Sequence, residues 1–304
     1  MAATEEKISE DIKRKLQLTL FGLMRDETSC QPGPDKIKKY NRAWVAAQAL
    51  ELFEHVGYGR QNEAEVILRK NIGLLSYRPL SPFKDITGAS FSGTAFQYAL
   101  WAMDTHMYNM MIDCLPQNEQ GEEIRKDLLK QAEEQKEHFS FKPLISALQT
   151  CVNNCNSWST SQLEAHWCKV VGMAQRDLPA HVRHEYCNPF PYLKETPSSK
   201  DGLKRSLRFL KVESGNVLLS NWQTWDANTP GLGIDFAITR GSVYNLWSVL
   251  GTNIIAPYAV VFDLRAITAL CRVRTADLTT LMERLQTPIQ IAEEASHAPT
   301  SMVV

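Results

Sequence analysis

The sequence predicts a mainly α (α+β) fold, in which helix-pair repeats fill the first two-thirds of the chain and a small mixed α/β module follows. Three observations carry this expectation. Apolar residues recur at helical spacing from the N-terminal region to the segment that ends at Cys187. A helix, turn, helix pattern between Tyr40 and Leu75 returns between Gly93 and Pro116. After Tyr192 the polar stretch "KETPSSKDG" leads into β-branched and aromatic runs bounded by Gly, Pro, Asn and Asp.

Residues 5–26 read as an amphipathic helix, with Thr4 as N-cap, acids in the first turn, and Ile8, Ile12, Leu16, Leu20 and Leu23 on one face. The loop "CQPGPDK" from Cys30 closes that unit. Next come "RAWVAAQALELFEHV", the turn "GYGRQ" and "NEAEVILRKNIGLL", two short helices crowded with small and apolar residues that pack antiparallel. A Pro-, Ser- and Gly-rich loop over 79–92 separates them from "GTAFQYALWAMDTHMYNMMIDCLP", where the arrangement recurs. Gly59 and Asp104 are expected at equivalent turn positions, 45 residues apart.

"GTAFQYALWA" resembles the ankyrin consensus, in which Thr opens the first helix, an apolar residue follows two later, and a small Ala faces the neighbouring helix. Thr94, Phe96 and Ala99 fit those places. The repeat is degenerate: its period exceeds the usual ~33 residues, and two copies fall short of the roughly three that a stack needs to bury its ends. Helices at 120–138 and 143–155 are expected to cap it.

"STSQLEAHWCKVVGMAQRD" carries a capping-box pattern, Ser161 with Glu164, and an apolar face of Leu163, Trp167, Val170, Val171 and Ala174. "DLPAHVRHEYC" follows, with Asp177 as expected N-cap and Pro179 in the first turn, and Pro189 and Pro191 stop it. Beyond the linker, "NVLLSNW", "GIDFAITRG" and "IIAPYAVVFDL" read as strands, and a helix is expected over Thr275–Gln286. The organisation is therefore a helical repeat domain with flanking capping helices at 1–192, a mixed module at 200–286 and a flexible tail at 287–304.

Taken together, "FQYALWAMDTHM", "HWCKVVGMAQRDLPAHVRHEYC", "GIDFAITRG" and "DLRAITALCRVRTADLT" resemble a recurring module of Legionella-type effectors exported by type IV secretion into a host cell. The resemblance runs over residues 40–286. It implies an ankyrin-like scaffold that moves from the bacterial cytoplasm to the host cytosol and binds a host protein there; it implies no reaction. Glu293 and Glu294, in a tail of small and apolar residues, are similar to the export signals of such effectors.

Composition narrows the partners. Thirty-three Lys and Arg against 34 Asp and Glu leave a formal charge of -1, and no basic run is interleaved with aromatics, so nucleic acid is not an expected partner. No segment approaches the ~18 uninterrupted apolar residues of a membrane span. Seven cysteines, an odd and irregularly spaced set, point to free thiols in a reducing compartment.

The docking surface expected for a scaffold lies along the inner helices and the two turns, with Tyr58, Arg60, Asp104 and His106 as contact residues. The enzymatic alternative is a cysteine-dependent hydrolase or transferase, with Cys187 as nucleophile, His184 or His181 as base, and Asp235 or Asp263 orienting it. Cys187 ends its helix, where the dipole opposes a thiolate; a charged His184 cap explains the same residues more simply. Zinc is not expected. Cys151, Cys155, His166, Cys168, His181, His184 and Cys187 crowd together in sequence but lie on three separate helices. ADP-ribosyl transfer fails on order, because the Ser159–Ser161 run precedes Arg240 and no Glu-x-Glu follows it. No cofactor is expected.

Overall fold

Small and apolar residues of Pro34–Gly57 form α1, which turns Ala49, Leu52, Phe53 and Val56 into the interior. The computed structural model describes residues 34–186, the strands at 209–213 and 216–220, positions 233 and 237, and residues 257–290. The helix expected over 5–26, the run "GIDFAITRG" apart from Gly233 and Ala237, and the tail after 290 lie outside the described residues, as does the boundary expected between 192 and 200.

α1 pairs with α2 (Gln61–Lys70), which a 3-10 turn at Ile72–Ser76 follows. A short antiparallel hairpin, β1 (Phe83–Lys84) and β2 (Ser90–Phe91), replaces the expected loop. Asp85 builds its turn: Oδ1 accepts from the Thr87 N–H at 2.8 Å, the Thr87 hydroxyl at 2.6 Å and the Ala89 N–H at 3.1 Å. The second pair is α3 (Ala95–Trp101) and α4 (Thr105–Asp113). Thr94 starts it with a complete capping box, its hydroxyl accepting from the Gln97 N–H and the Gln97 side chain accepting from the Thr94 N–H.

The two pairs turn alike. In the first, the Gly59 and Arg60 N–H groups donate to Val56 and His55 carbonyls; in the second, Met103 and Asp104 donate to Leu100 and Ala99. Both are Schellman closures with a left-handed residue, Gly59 at φ 67° and Met103 at φ 57°. The position equivalent to Gly59 is therefore Met103 rather than Asp104, and the offset is one residue shorter than the sequence spacing implied. A left-handed methionine costs roughly 1–2 kcal/mol. Met103 is buried, 5% exposed, among Ile86, Phe141 and their neighbours, which repays that cost.

α1 stacks on α3 and α2 on α4. α5 (Glu119–Glu134) lies against α3, while the place beside α4 is taken by the second half of α10 (Pro257–Gln286), which also packs on α5. The stack thus has a third layer, α5 with α10, whose two members are far apart in sequence. α6 (Lys142–Asn154) packs on α10.

The expected strand over 254–264 is helical from Pro257 onward, and the expected Thr275–Gln286 helix begins eighteen residues earlier. Along α10, Val260, Asp263, Ile267, Leu270, Arg274, Leu281 and Leu285 are buried at intervals of three, four and seven. Two ionic residues interrupt that stripe, so the apolar pattern alone conceals the helical period.

α7 (Thr160–His166) passes through a π-helical stretch at Trp167–Val171 into α8 (Gly172–Arg176), followed by α9 (Ala180–Tyr186). The box at the head of α7 is Ser159 with Gln162; Ser161 lies inside the helix, and the Glu164 side chain is outside the described residues. Asp177 ends α8 rather than capping α9, its N–H bonded back to Met173 and Gln175. β3 (Phe209–Glu213) and β4 (Asn216–Ser220) form a second antiparallel hairpin, in accord with the strand expected at "NVLLS". Among the described residues the chain is mainly α, and no helix is long and apolar enough to cross a membrane.

Two cores result. The first unites the helix pairs with α5 and Leu281 and Leu285 of α10; the second gathers α6, the α7–α9 segment and the first half of α10. A chain of ring contacts joins them, from Phe53 through Phe83, Tyr98 and Trp101 to Phe139 and Phe141. Phe53 and Tyr98 both meet the Phe83 ring at 4.9 Å, which packs the first helices of the two pairs side by side.

Candidate functional site

The two turns, alike in backbone, differ in what their side chains do. At the first, the Arg60 guanidinium lies 5.0 Å from the Tyr58 ring centroid and 3.4 Å from the Glu54 carboxylate. The Arg60 side chain is 39% exposed, so this turn presents a cation to solvent.

At the second turn Asp104 points inward. Its Oδ1 accepts from the Met107 N–H at 3.1 Å and caps α4; its Oδ2 stands 3.8 Å from His181 Nδ1 on α9. Thr105 is buried as well, donating to Asp277 of α10, and His106 is half-buried. The structure therefore removes Asp104 from the expected docking surface: a capping carboxylate facing an imidazole belongs to the interior.

Around Asp104 runs a polar seam that sequence reasoning missed. The Tyr98 hydroxyl donates to Asp85 Oδ2 at 3.0 Å, and burial together with the Asp85 charge holds its ionisation well above the usual tyrosine range; the Arg183 charge acts in the opposite sense. Arg183, two residues after His181, donates to the Arg176 carbonyl. Asp85, Tyr98, Asp104, His181 and Arg183 are each no more than 4% exposed, so the seam offers no surface to a substrate and works as a clamp between the helix pairs and α9. The "DITG" turn at Asp85 is the one signal of it in the sequence.

Of the enzymatic candidates, Asp263 is buried on α10. Cys187 and Asp235 lie outside the described residues, as does the side chain of His184. Burial holds three of the described thiols away from reactivity: it pushes Cys151 up to about 11 and also raises Cys114 and Cys271. Among the described residues no three His, Cys, Asp or Glu side chains converge as a metal site. His166 instead has its Nε2 2.9 Å from the Ala147 carbonyl and its ring 4.9 Å from that of Trp158.

Residues 143–285 match a family model described as the CBUA0006 C-terminal domain. The chain is also 32% identical over 266 residues to an uncharacterized protein, CBUA0006, of Coxiella burnetii (strain RSA 493 / Nine Mile phase I), a match that covers 76% of this chain and 73% of that protein. No solved structure matches. The matched domain includes His181, Arg183 and Asp263, while Asp85, Tyr98 and Asp104 precede it.

Proposed function

Since the chain belongs to the CBUA0006 family, with a relative in Coxiella burnetii, we propose that it is a secreted bacterial effector that acts as a protein–protein interaction scaffold in the host cell. The repeated turn carries this reading. Gly59 and Met103 close two helix pairs with the same hydrogen bonds, and the pairs pack first helix on first and second on second. We read them as degenerate ankyrin-like repeats: Thr94 caps the first helix of its pair, and Phe96 and Ala99 are buried against neighbours. Such stacks expose an extended surface suited to docking protein partners.

The chemistry of the described side chains supports binding. The carboxylates, imidazole and guanidinium nearest the second turn are spent inside the seam, whereas Tyr58 and Arg60 remain at the surface as an aromatic and cationic pair of the kind that anchors protein interfaces. Type IV export, with Glu293 and Glu294 in its signal, completes the proposal.

The test uses tagged full-length protein. A host protein recovered from lysate by the wild type, and then shown with purified components to bind at least tenfold more weakly to Arg60→Ala, supports the scaffold. Selective labelling of Cys187 by a thiol probe at neutral pH, abolished by His184→Ala, overturns it in favour of the cysteine-dependent enzyme. Delivery is read by a translocation reporter fused to the chain, whose signal is lost when Glu293 and Glu294 are replaced by alanine.

A further inference from the structure

Between the 3-10 turn at Ile72–Ser76 and β1 the chain crosses the surface as "YRPLSP", fixed at both ends and bare in the middle. Leu74 and Leu75 hold the approach in the first core, and the Tyr77 N–H donates to the Leu74 carbonyl. Phe83 holds the exit, its ring 4.9 Å from both Phe53 and Tyr98. The chain bends at Leu80 and Ser81; Leu80 is fully exposed, and Ser81 and Pro82 are exposed beside it. Pro79 and Pro82 keep Arg78 and Ser81 out of the helical region, so the loop does not wind into a helix that would cover the Ser81 hydroxyl. Arg78 reaches back to Glu134 at the end of α5, 2.9 Å away, in a pair whose two side chains are about half-exposed.

We propose that Ser81 is a phosphorylation site for a proline-directed serine kinase, and that the phosphate draws Arg78 away from Glu134. Pro82 follows the serine directly, and a ring that offers no N–H to the enzyme is what such kinases select at that place. Among the described residues the other Ser or Thr before a proline is Thr287, whose hydroxyl donates to the Glu283 carbonyl at the end of α10. The geometry therefore singles out Ser81. Its Oγ attacks the γ-phosphorus of ATP; the Oγ–P bond forms as the bond to the bridging oxygen breaks, ADP departs, and the hydroxyl proton passes to the kinase's base. The new group carries a charge of about −1.5 to −2. Arg78 and Ser81, three residues apart, have Cα atoms at most about 11 Å from each other, a gap their side chains bridge. A guanidinium binds a phosphate through two hydrogen bonds, whereas an exposed carboxylate pair holds it weakly, so the loop exchanges its tie to α5 for one within itself. The proposal uses the host-delivery reading only for where the kinase is met.

The test incubates the purified full-length protein with a purified proline-directed serine kinase and magnesium ATP, followed by mass spectrometry of its peptides. One phosphate is expected on Ser81, absent from Ser81→Ala and added at least about tenfold more slowly to Pro82→Ala. Phosphorus NMR then follows the phosphate through its second ionisation. The midpoint is expected below the ordinary value of about 6 in the wild type and back at that value in Arg78→Gln, since the guanidinium favours the dianion. A Ser81 that stays unmodified overturns the site, and equal midpoints in wild type and Arg78→Gln overturn the transfer of Arg78. Purified components keep the result separate from export: a failed translocation reporter refutes delivery and leaves the phosphorylation site standing.

Discussion

Thr105 Oγ1 donates to Asp277 Oδ2 at 2.8 Å across 172 residues of sequence, fastening the second helix pair to α10. The same carboxylate oxygen receives Arg274 at 3.4 Å, and the Tyr108 hydroxyl donates to Thr105 at 3.1 Å. A hydrogen bond to a charged group in a partly buried setting contributes about 1.5–3 kcal/mol. Thr105→Val keeps the shape and removes the donor, so it is expected to lower unfolding stability by that amount. Urea denaturation followed by circular dichroism measures it. An unchanged midpoint means that the third layer holds without this fastening.

At Met103 two effects of similar size compete. Replacement by glycine relieves a left-handed strain of roughly 1–2 kcal/mol. The same replacement empties a site in the second core, and large-to-small changes of a buried methionine cost about 2–5 kcal/mol. Met103→Gly is therefore expected to destabilise by roughly 1–3 kcal/mol, although it installs the residue the turn geometry prefers. Gly59→Ala, which adds strain without removing packing, is expected to cost about 1 kcal/mol. Thermal denaturation of the two variants separates packing from conformation.

That competition explains what the sequence withheld. The helix pairs, the Thr94 cap and the antiparallel packing were readable because spacing, small residues and capping chemistry agreed there. Glycine normally marks a left-handed turn, so a buried Met103 in that conformation shifted the expected register toward Asp104. Asp263 and Arg274 break the apolar stripe of α10, and β-branched Val260, Val261 and Ile267 mimic a strand, so tertiary packing on α6 had to decide for helix. The polar seam brings Asp85 and Tyr98 to His181 and Arg183, and no local pattern in a chain specifies a partner so distant.

Gly121 sits where α5 meets the loop before it. A Cβ there would come within 1.8 Å of the Pro116 carbonyl oxygen, and the Gly121 N–H donates to Asn118 Oδ1 at 3.0 Å, which fixes the helix start. Helix propensity favours alanine over glycine by about 1 kcal/mol, but a backbone clash of this depth outweighs it. Gly121→Ala is expected to destabilise by about 2 kcal/mol or more, read as a lower denaturation midpoint. A stabilised variant would show that the turn at Pro116 shifts freely.

The end of α10 is pH-sensitive through Glu122. Its carboxylate receives Arg125 at 2.7 Å through both oxygens and the Ile289 N–H at 3.0 Å, and these contacts hold it down to about 2 from an ordinary 4.5. A depressed carboxyl stabilises the folded state above the unfolded value and loses that contribution as pH falls through the folded one. Docking of Leu285 and Ile289 on α5 is accordingly expected to weaken between pH 4.5 and about 2. Arg125 also donates to the Leu285 carbonyl, so the loosening spreads to the helix terminus. Glu122→Gln is expected to show fast amide exchange at Ile289 already at neutral pH, with no further change on acidification.

Thiol reactivity gives the last test. A buried Cys151, raised to about 11 first by desolvation and then by the neighbouring Cys155, holds almost no thiolate at neutral pH. Burial also raises Cys114 and Cys271, less strongly, since both are half-exposed. Labelling by a small disulfide reagent at pH 7 is expected to reach Cys151 only through opening of the second core, at a rate independent of reagent concentration once opening limits it. Cys155, at the end of α6 and half-exposed, is expected to react directly and in proportion to reagent. Mass spectrometry of labelled peptides distinguishes the two regimes. Rapid, concentration-dependent modification of Cys151 would mean that the core around Leu148, Trp167 and Ile267 is open to solvent, which its packing denies.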